Sequence, residues 1–154
     1  MTSLFDPLQL RGITIPNRIG MSPMCMYSYA DGLVTNFQAI HQASRAVGGV
    51  GLIIAEATAV EPIGRITPYD AGIWSDEQAV RLGISVQAVR ESGAVAGIQL
   101  AHAGRKASTD RPWTGGKPIS PEQPMGWQPI GPSDVAFADG YSIPAAMSID
   151  DIQR

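Results

Sequence analysis

Twice along this chain the same signals come in the same order: a helix-capping pair, a helically spaced stripe, a glycine stop and then an apolar run. The first cycle opens on Thr35-Asn-Phe-Gln38. A Thr followed three residues later by Gln can satisfy free backbone N–H groups at a helix start from both sides. Phe37, Ile40, Ser44 and Val47 recur at helical spacing, and Gly48-Gly49 supplies the stop. Gly51-Leu-Ile-Ile-Ala-Glu-Ala57 follows at once. That run is continuous rather than alternating, the pattern of a strand covered on both faces of a parallel sheet. The second cycle begins at Ser75-Asp-Glu-Gln78, with Ala79, Leu82, Val86 and Val89 as its stripe. Ser92-Gly93 ends it, and Val95-Ala-Gly-Ile-Gln-Leu100 is its strand.

Upstream, Ile19–Met24 reads as a first strand stopped by Pro23. The order is therefore β-α-β-α-β, which right-handed crossovers turn into a parallel sheet. Before it, Leu8-Gln9-Leu10 and Ile13-Thr14-Ile15 flank Arg11-Gly12, a hairpin pattern. Three strands and two helices match the opening of a (β/α)8 barrel, which needs about 250 residues. A small doubly wound sheet shares the same grammar.

After His102 the periodicity ends, and the chain to Ala146 is rich in Pro, Gly and Trp. A structureless stretch beyond about 12–15 residues is most often a functional loop, a lid or a partner contact. Ser148-Ile-Asp-Asp151 reads as the opening of a third helix. With the sequence stopping at Arg154, the expectation is that residues 1–154 form the N-terminal part of one larger domain.

Composition narrows the function. With 44% apolar residues the 154-residue chain can bury a core. Its net charge of −3 and scattered cations disfavour nucleic acid and anionic lipid as partners. No apolar stretch approaches the ~20 residues of a membrane span, and Met1–Asp6 lacks the charged and apolar regions of a leader. One cysteine cannot form an internal disulfide, so a cytoplasmic location is expected.

Met21-Ser-Pro-Met-Cys-Met-Tyr-Ser28 falls at the C-terminal end of the first strand, the edge where a parallel barrel gathers its active site. By composition alone Cys25 reads as an inert core thiol. His102 reads as a structural hydrogen-bonding residue, and His41 as a packing or interface residue of the first helix. Gly49-Val-Gly51 lies between a helix and a strand and lacks a third glycine, so it is no dinucleotide fingerprint. No metal-ligand cluster and no Ser/His/Asp triad can be assembled.

Five blocks in register go further. They are Leu4-Phe5-Asp6-Pro7 with Asn17-Arg18-Ile19 and Ser22–Ser28; Glu56–Val60 with Gly64–Thr67; Gly72–Asp76; Gly97–Ala107; and Pro132-Ser133 before Ala136-Phe137. Together they resemble the start of the Old Yellow Enzyme family of ene-reductases, in the bacterial thermophilic-like class that includes xenobiotic reductases. The resemblance covers essentially the whole chain.

It implies an FMN-containing (β/α)8 barrel that takes hydride from NADPH or NADH and delivers it to the β-carbon of an activated alkene. It places Pro23, Met24, Cys25, Ala57 and Gln99 at flavin contacts, with Cys25 a modulator of the flavin's redox behaviour and Tyr27 a substrate-side hydroxyl. Trp74 reads as packing ahead of a helix, and Arg65 as a cap or brace of the loop after the second strand, with no catalytic role. Arg105, Lys106 and Trp113 read as interface or solvated-loop residues, since this class commonly forms dimers or tetramers. The family's substrate-binding His pair, proton donor and most phosphate-binding loops lie outside residues 1–154. The isolated chain is therefore expected to be inactive until a complementary C-terminal polypeptide completes the barrel. The alternative is a non-enzymatic fragment or interaction module of a split flavoprotein.

Overall fold

The computed structural model describes residues 2–153. The hairpin forms as expected: β1 (Leu8–Leu10) and β2 (Ile13–Ile15) run antiparallel, with Leu8 opposite Ile15 and Leu10 opposite Ile13. Its turn is closed by Arg11 at φ +50°, the positive φ that two-residue hairpin turns require.

The main sheet is parallel and centred on β4 (Leu52–Ala59). β6 (Val95–Ala101) pairs along the whole of β4 on one side. On the other side, β3 (Gly20–Met21) pairs with the start of β4 and β5 (Ala71–Gly72) with its end. The first strand is thus shorter than the expected Ile19–Met24, because beyond Met21 the chain turns away from β4 into a loop. β4, by contrast, runs two residues past Ala57.

Helices α1 (Asn36–Val47) and α2 (Asp76–Glu91) pack on each other and on one face of the sheet. Ala46, Ile53, Val89 and Ala94 form one core cluster, and Tyr29, Val34, Ala71 and Leu82 the other. Thr35 caps α1 by accepting the Phe37 N–H, but Gln38 does not return to Thr35 to complete a box. Gln38 is instead buried and accepts from the Ser85 hydroxyl of α2 at 3.4 Å. The expected α1 stripe is also on the wrong face. Phe37, Ile40 and Val47 are exposed, and Gln38, Gln42 and Ala46 are buried. Helical spacing defines faces; the partner α2 decides which one is covered.

The second helix follows its sequence more closely. Ser75 and Gln78 form a complete capping box, and Leu82 and Val89 are buried. Ala79 and Val86 instead line a groove between α2 and the sheet. Gln78 also donates to the Asp31 carbonyl at 2.8 Å, tying α2 to the loop after β3. Gly72 has to lack a side chain, because the Trp74 ring occupies the space of its Cβ.

The segment after β6 is better ordered than its composition suggested. Short 3-10 turns form at Gly104–Lys106 and Pro112–Thr114, and β7 (Ile130–Gly131) pairs in parallel with β8 (Ala145–Ala146). α3 (Ile149–Gln153) begins where expected, with Ser148 and Asp151 exchanging side-chain and backbone hydrogen bonds. Among the described residues no helix is long and apolar enough to cross a membrane.

Candidate active site

The chain leaves β3 at Met21 and crosses toward the C-terminal half of β4. Tyr27 in this crossing sits at φ +47°, a left-handed conformation that costs an L-residue free energy and survives where neighbours hold it. Pro23 is half-buried and Met24 exposed on the same crossing.

The Tyr27 hydroxyl and the Ala57 backbone N–H lie near the Cys25 thiol. Burial raises the Cys25 thiol above its ordinary value, with the negative charges of Asp70 and Glu56 adding to the rise and the nearby Tyr27 hydroxyl and Ala57 N–H opposing it. The net direction is up, so the sulfur stays a thiol at neutral pH. A nucleophilic cysteine would need the opposite shift. Burial, and then the neighbouring Cys25, push Tyr27 upward as well, so its hydroxyl remains a donor.

A β-bulge in β4 sets the other half of the site. Ala55 pairs with Ile98, but Ala57, not Glu56, pairs with Gln99. Because side chains alternate along a strand, one inserted residue reverses the face of everything after it. Ile98, Ala55 and Ala96 line the helix side with Gln42 and Leu82. Ala57 and Gln99 therefore share the opposite face, at the C-terminal half of the strands. Ala57 is half-buried there, and Gln99 is exposed, its side-chain amide without a hydrogen-bond partner among the described residues.

The inserted residue is itself used. Glu56 is 4% exposed. Its Oε2 accepts the Met26 N–H at 2.8 Å and its Oε1 accepts the Tyr29 hydroxyl at 2.7 Å. Thr58 Oγ1 donates to the Glu56 carbonyl at 2.8 Å. Burial raises the Glu56 carboxyl, opposed by the bonds from Tyr29 and Met26.

The structure thus places the Cys25 thiol near the Tyr27 hydroxyl and the Ala57 backbone, and pairs Ala57 with Gln99, with Pro23 and Met24 on the same crossing. It does not bring either histidine there. His102 Nδ1 accepts the Gly104 N–H at 3.0 Å, so Nε2 carries the proton and donates it to Glu61 Oε1 at 2.9 Å. His41 stacks on Phe37 within α1. Arg65 lies between the indoles of Trp74 and Trp127, 5.5 and 5.2 Å from the ring centres, and donates to the Pro62 and Pro68 carbonyls. It is a brace, as expected.

Sequence reasoning missed Glu56, Tyr29 and Trp113 as neighbours of the cluster. For Glu56 the signal was present: a lone carboxylate inside an otherwise apolar buried run needs a reason to be there. Trp113, which meets the Tyr27 ring edge-on, carried no signal at all.

A parallel sheet with helices on one face and Ala57 and Gln99 on the other is the architecture of the opening part of a (β/α)8 barrel. The family model described as the NADH:flavin oxidoreductase / NADH oxidase family matches residues 3–154, and the chain belongs to that family. An NADPH dehydrogenase from Bacillus cytotoxicus is 45% identical over 154 residues, covering 99% of this chain and 40% of its own length. One from a Geobacillus species is 47% identical over 155 residues, covering 99% and 41%. Among solved structures, morphinone reductase aligns with a TM-score of 0.79 at 33% identity, over 97% of this chain and 41% of that one. The old yellow enzyme homologue from Zymomonas mobilis aligns with a TM-score of 0.81 at 32% identity, over 99% and 42%. The chain spans about 40% of the length of the curated relatives it matches.

Proposed function

We propose that residues 1–154 are the N-terminal part of a single flavin-binding barrel domain, and that the whole protein is an FMN-dependent, NAD(P)H-driven reductase of activated alkenes. The observation that carries this reading is the Ala57–Gln99 pair on the sheet face opposite the helices, with the Cys25 thiol and Tyr27 hydroxyl near Ala57.

The residues present fit FMN. Gln99 offers an unpartnered amide, donor and acceptor together, which suits the alternating N–H and C=O groups of the flavin pyrimidine edge. Ala57 beside it is small enough for a planar ring system to lie close. Pro23, Met24 and Cys25 form an adjoining wall. When bound, FMN supplies the hydride relay from nicotinamide to the alkene β-carbon. The chain's residues bind and orient: Cys25 presents a neutral thiol that tunes the flavin's environment, and the Tyr27 hydroxyl, on the substrate side, helps position the substrate's activating group. Enones, enals, maleimides and nitro compounds carry such a group.

The reading includes a complementary C-terminal segment, on this or a second polypeptide, that supplies the remaining strands, the phosphate anchors and the substrate-binding oxygen donors. It also includes a cytoplasmic location and a dimeric or tetrameric complete enzyme. Residues 1–154 expressed alone are expected to hold FMN weakly and to reduce no alkene. Visible absorption spectra of the isolated segment and of the complete protein test this. Flavin bands in the complete protein and none in the segment support it; a colourless complete protein overturns it.

A further inference from the structure

We propose that Glu56 is a positioning residue of this site: through the β4 bulge its buried carboxylate clamps the crossing on both sides of Tyr27 and so sets how Cys25 and Tyr27 face the flavin. The proposal rests on the flavin reading above and assigns a function to a residue outside the expected contact set.

Three features carry it. The clamp is two-sided, because Met26 and Tyr29, the acceptor's two partners, bracket Tyr27 at its left-handed φ. Without holding contacts a non-glycine residue leaves that region. The clamp is also buried, since Glu56 and Tyr29 are 4% and 2% exposed, and water cannot substitute for the lost partner there. Finally, the bulge that frees Glu56 from the regular alternation is the same one that puts Ala57 and Gln99 on a common face. One inserted residue therefore both aligns the strand side of the site and fastens the loop side to it. The Ala57 N–H near the Cys25 thiol belongs to the very next residue, so Glu56 and the thiol meet at one short stretch of backbone.

The test uses the complete protein, once with FMN and once after its removal, in wild type, Glu56→Gln, Glu56→Leu and Tyr29→Phe. The readout is the limiting rate of Cys25 alkylation by iodoacetamide at high pH, followed by peptide mass. That limit reports how the loop presents the sulfur and not how ionised it is. In flavin-free protein Glu56→Leu is expected to alkylate about tenfold faster than wild type or more, the effect of losing hydrogen bonds to a buried charged group. Glu56→Gln should stay within about twofold, because its amide oxygen can accept from Met26 and its amide nitrogen can donate to the Tyr29 oxygen. Equal acceleration in both variants, or none in either, overturns the proposal. If circular dichroism shows that Glu56→Leu does not fold, Tyr29→Phe decides: an acceleration of about threefold supports the clamp and a wild-type rate overturns it. The flavin reading has its own arm. FMN should slow alkylation of wild-type Cys25, and an absence of protection sinks that reading while leaving the clamp result standing.

Discussion

Trp113 meets Tyr27 edge to face, with ring centroids 5.8 Å apart and planes inclined at 61°. This contact joins the long segment after β6 to the crossing after β3. Beside it the Arg111 guanidinium lies 4.0 Å above the Tyr69 ring centre and 5.7 Å from that of Trp113. Trp113 is 62% exposed, so much of its ring remains open to a molecule resting against Tyr27.

On the proposed alkene-reductase reading, Trp113→Ala in the complete protein should raise the alkene KM about two- to tenfold and change kcat little, the scale of one aromatic pair. Steady-state kinetics with a bulky and a small enone separate the outcomes. A fall in kcat at unchanged KM would place Trp113 in the reacting arrangement instead.

Gly72→Ala tests the packing beneath the loops. The new methyl would enter the space of the Trp74 ring. Trp74 would have to move and release its face from Arg65. Overpacking of this kind costs about 1–3 kcal/mol, read as a lowered Tm and an altered near-ultraviolet tryptophan signal. An unchanged Tm would show that Trp74 relocates freely.

Arg65→Lys separates charge from shape. A lysine keeps the charge but cannot lie flat between the indoles of Trp74 and Trp127, and its single ammonium cannot reproduce the spread of Nε and guanidinium N–H donors that meet Pro62 and Pro68. A loss of about 1–2 kcal/mol is expected in urea denaturation. Equal stability would mean that the stack contributes only through its charge.

The buried carboxyls give the fold an unusual pH response. Burial raises Glu56 and Asp70 above their unfolded values of 4.5 and 3.8. At these positions the folded chain binds protons more tightly than the unfolded one. Their stabilisation is therefore full below the unfolded values and is lost as pH rises through the folded ones. His41 acts in the opposite sense: lowered by burial and by Arg45, it favours the fold above 6.5 and withdraws that support as pH falls through its folded value. Glu56→Gln isolates the carboxyl. Urea midpoints measured from pH 4.5 to neutrality should decline less in Glu56→Gln than in wild type. Identical slopes would mean that Glu56 is solvated in the native state.

Much of the architecture was readable because it depends on near neighbours. The Ser75–Gln78 box, the Arg11-Gly12 turn, the start of α3 and the parallel strands β4 and β6 all follow from residues within a few positions of each other. The α1 stripe was misread for the same reason: Phe37, Ile40 and Val47 share a face, but only the placement of α2 shows that Gln38, Gln42 and Ala46 are the covered ones. For the candidate site, the Pro23–Tyr27 run and Gln99 could be singled out by resemblance, whereas Glu56 could only be noticed as an isolated acid.

The sequence by itself determined the order and type of the elements, because capping, helical spacing and apolar continuity act over one or two turns of chain. It also determined the family, since five blocks in register survive without any knowledge of contacts. Only the tertiary structure decided which residues meet. The bulge at Glu56 changes which face Ala57 and Gln99 occupy, and that shift is defined by pairing with a strand some forty residues away. The positive φ of Tyr27, the clamp from Glu56 and the edge of Trp113 all join segments distant in sequence. Such contacts depend on where the sheet places three loops at once, which no local pattern records.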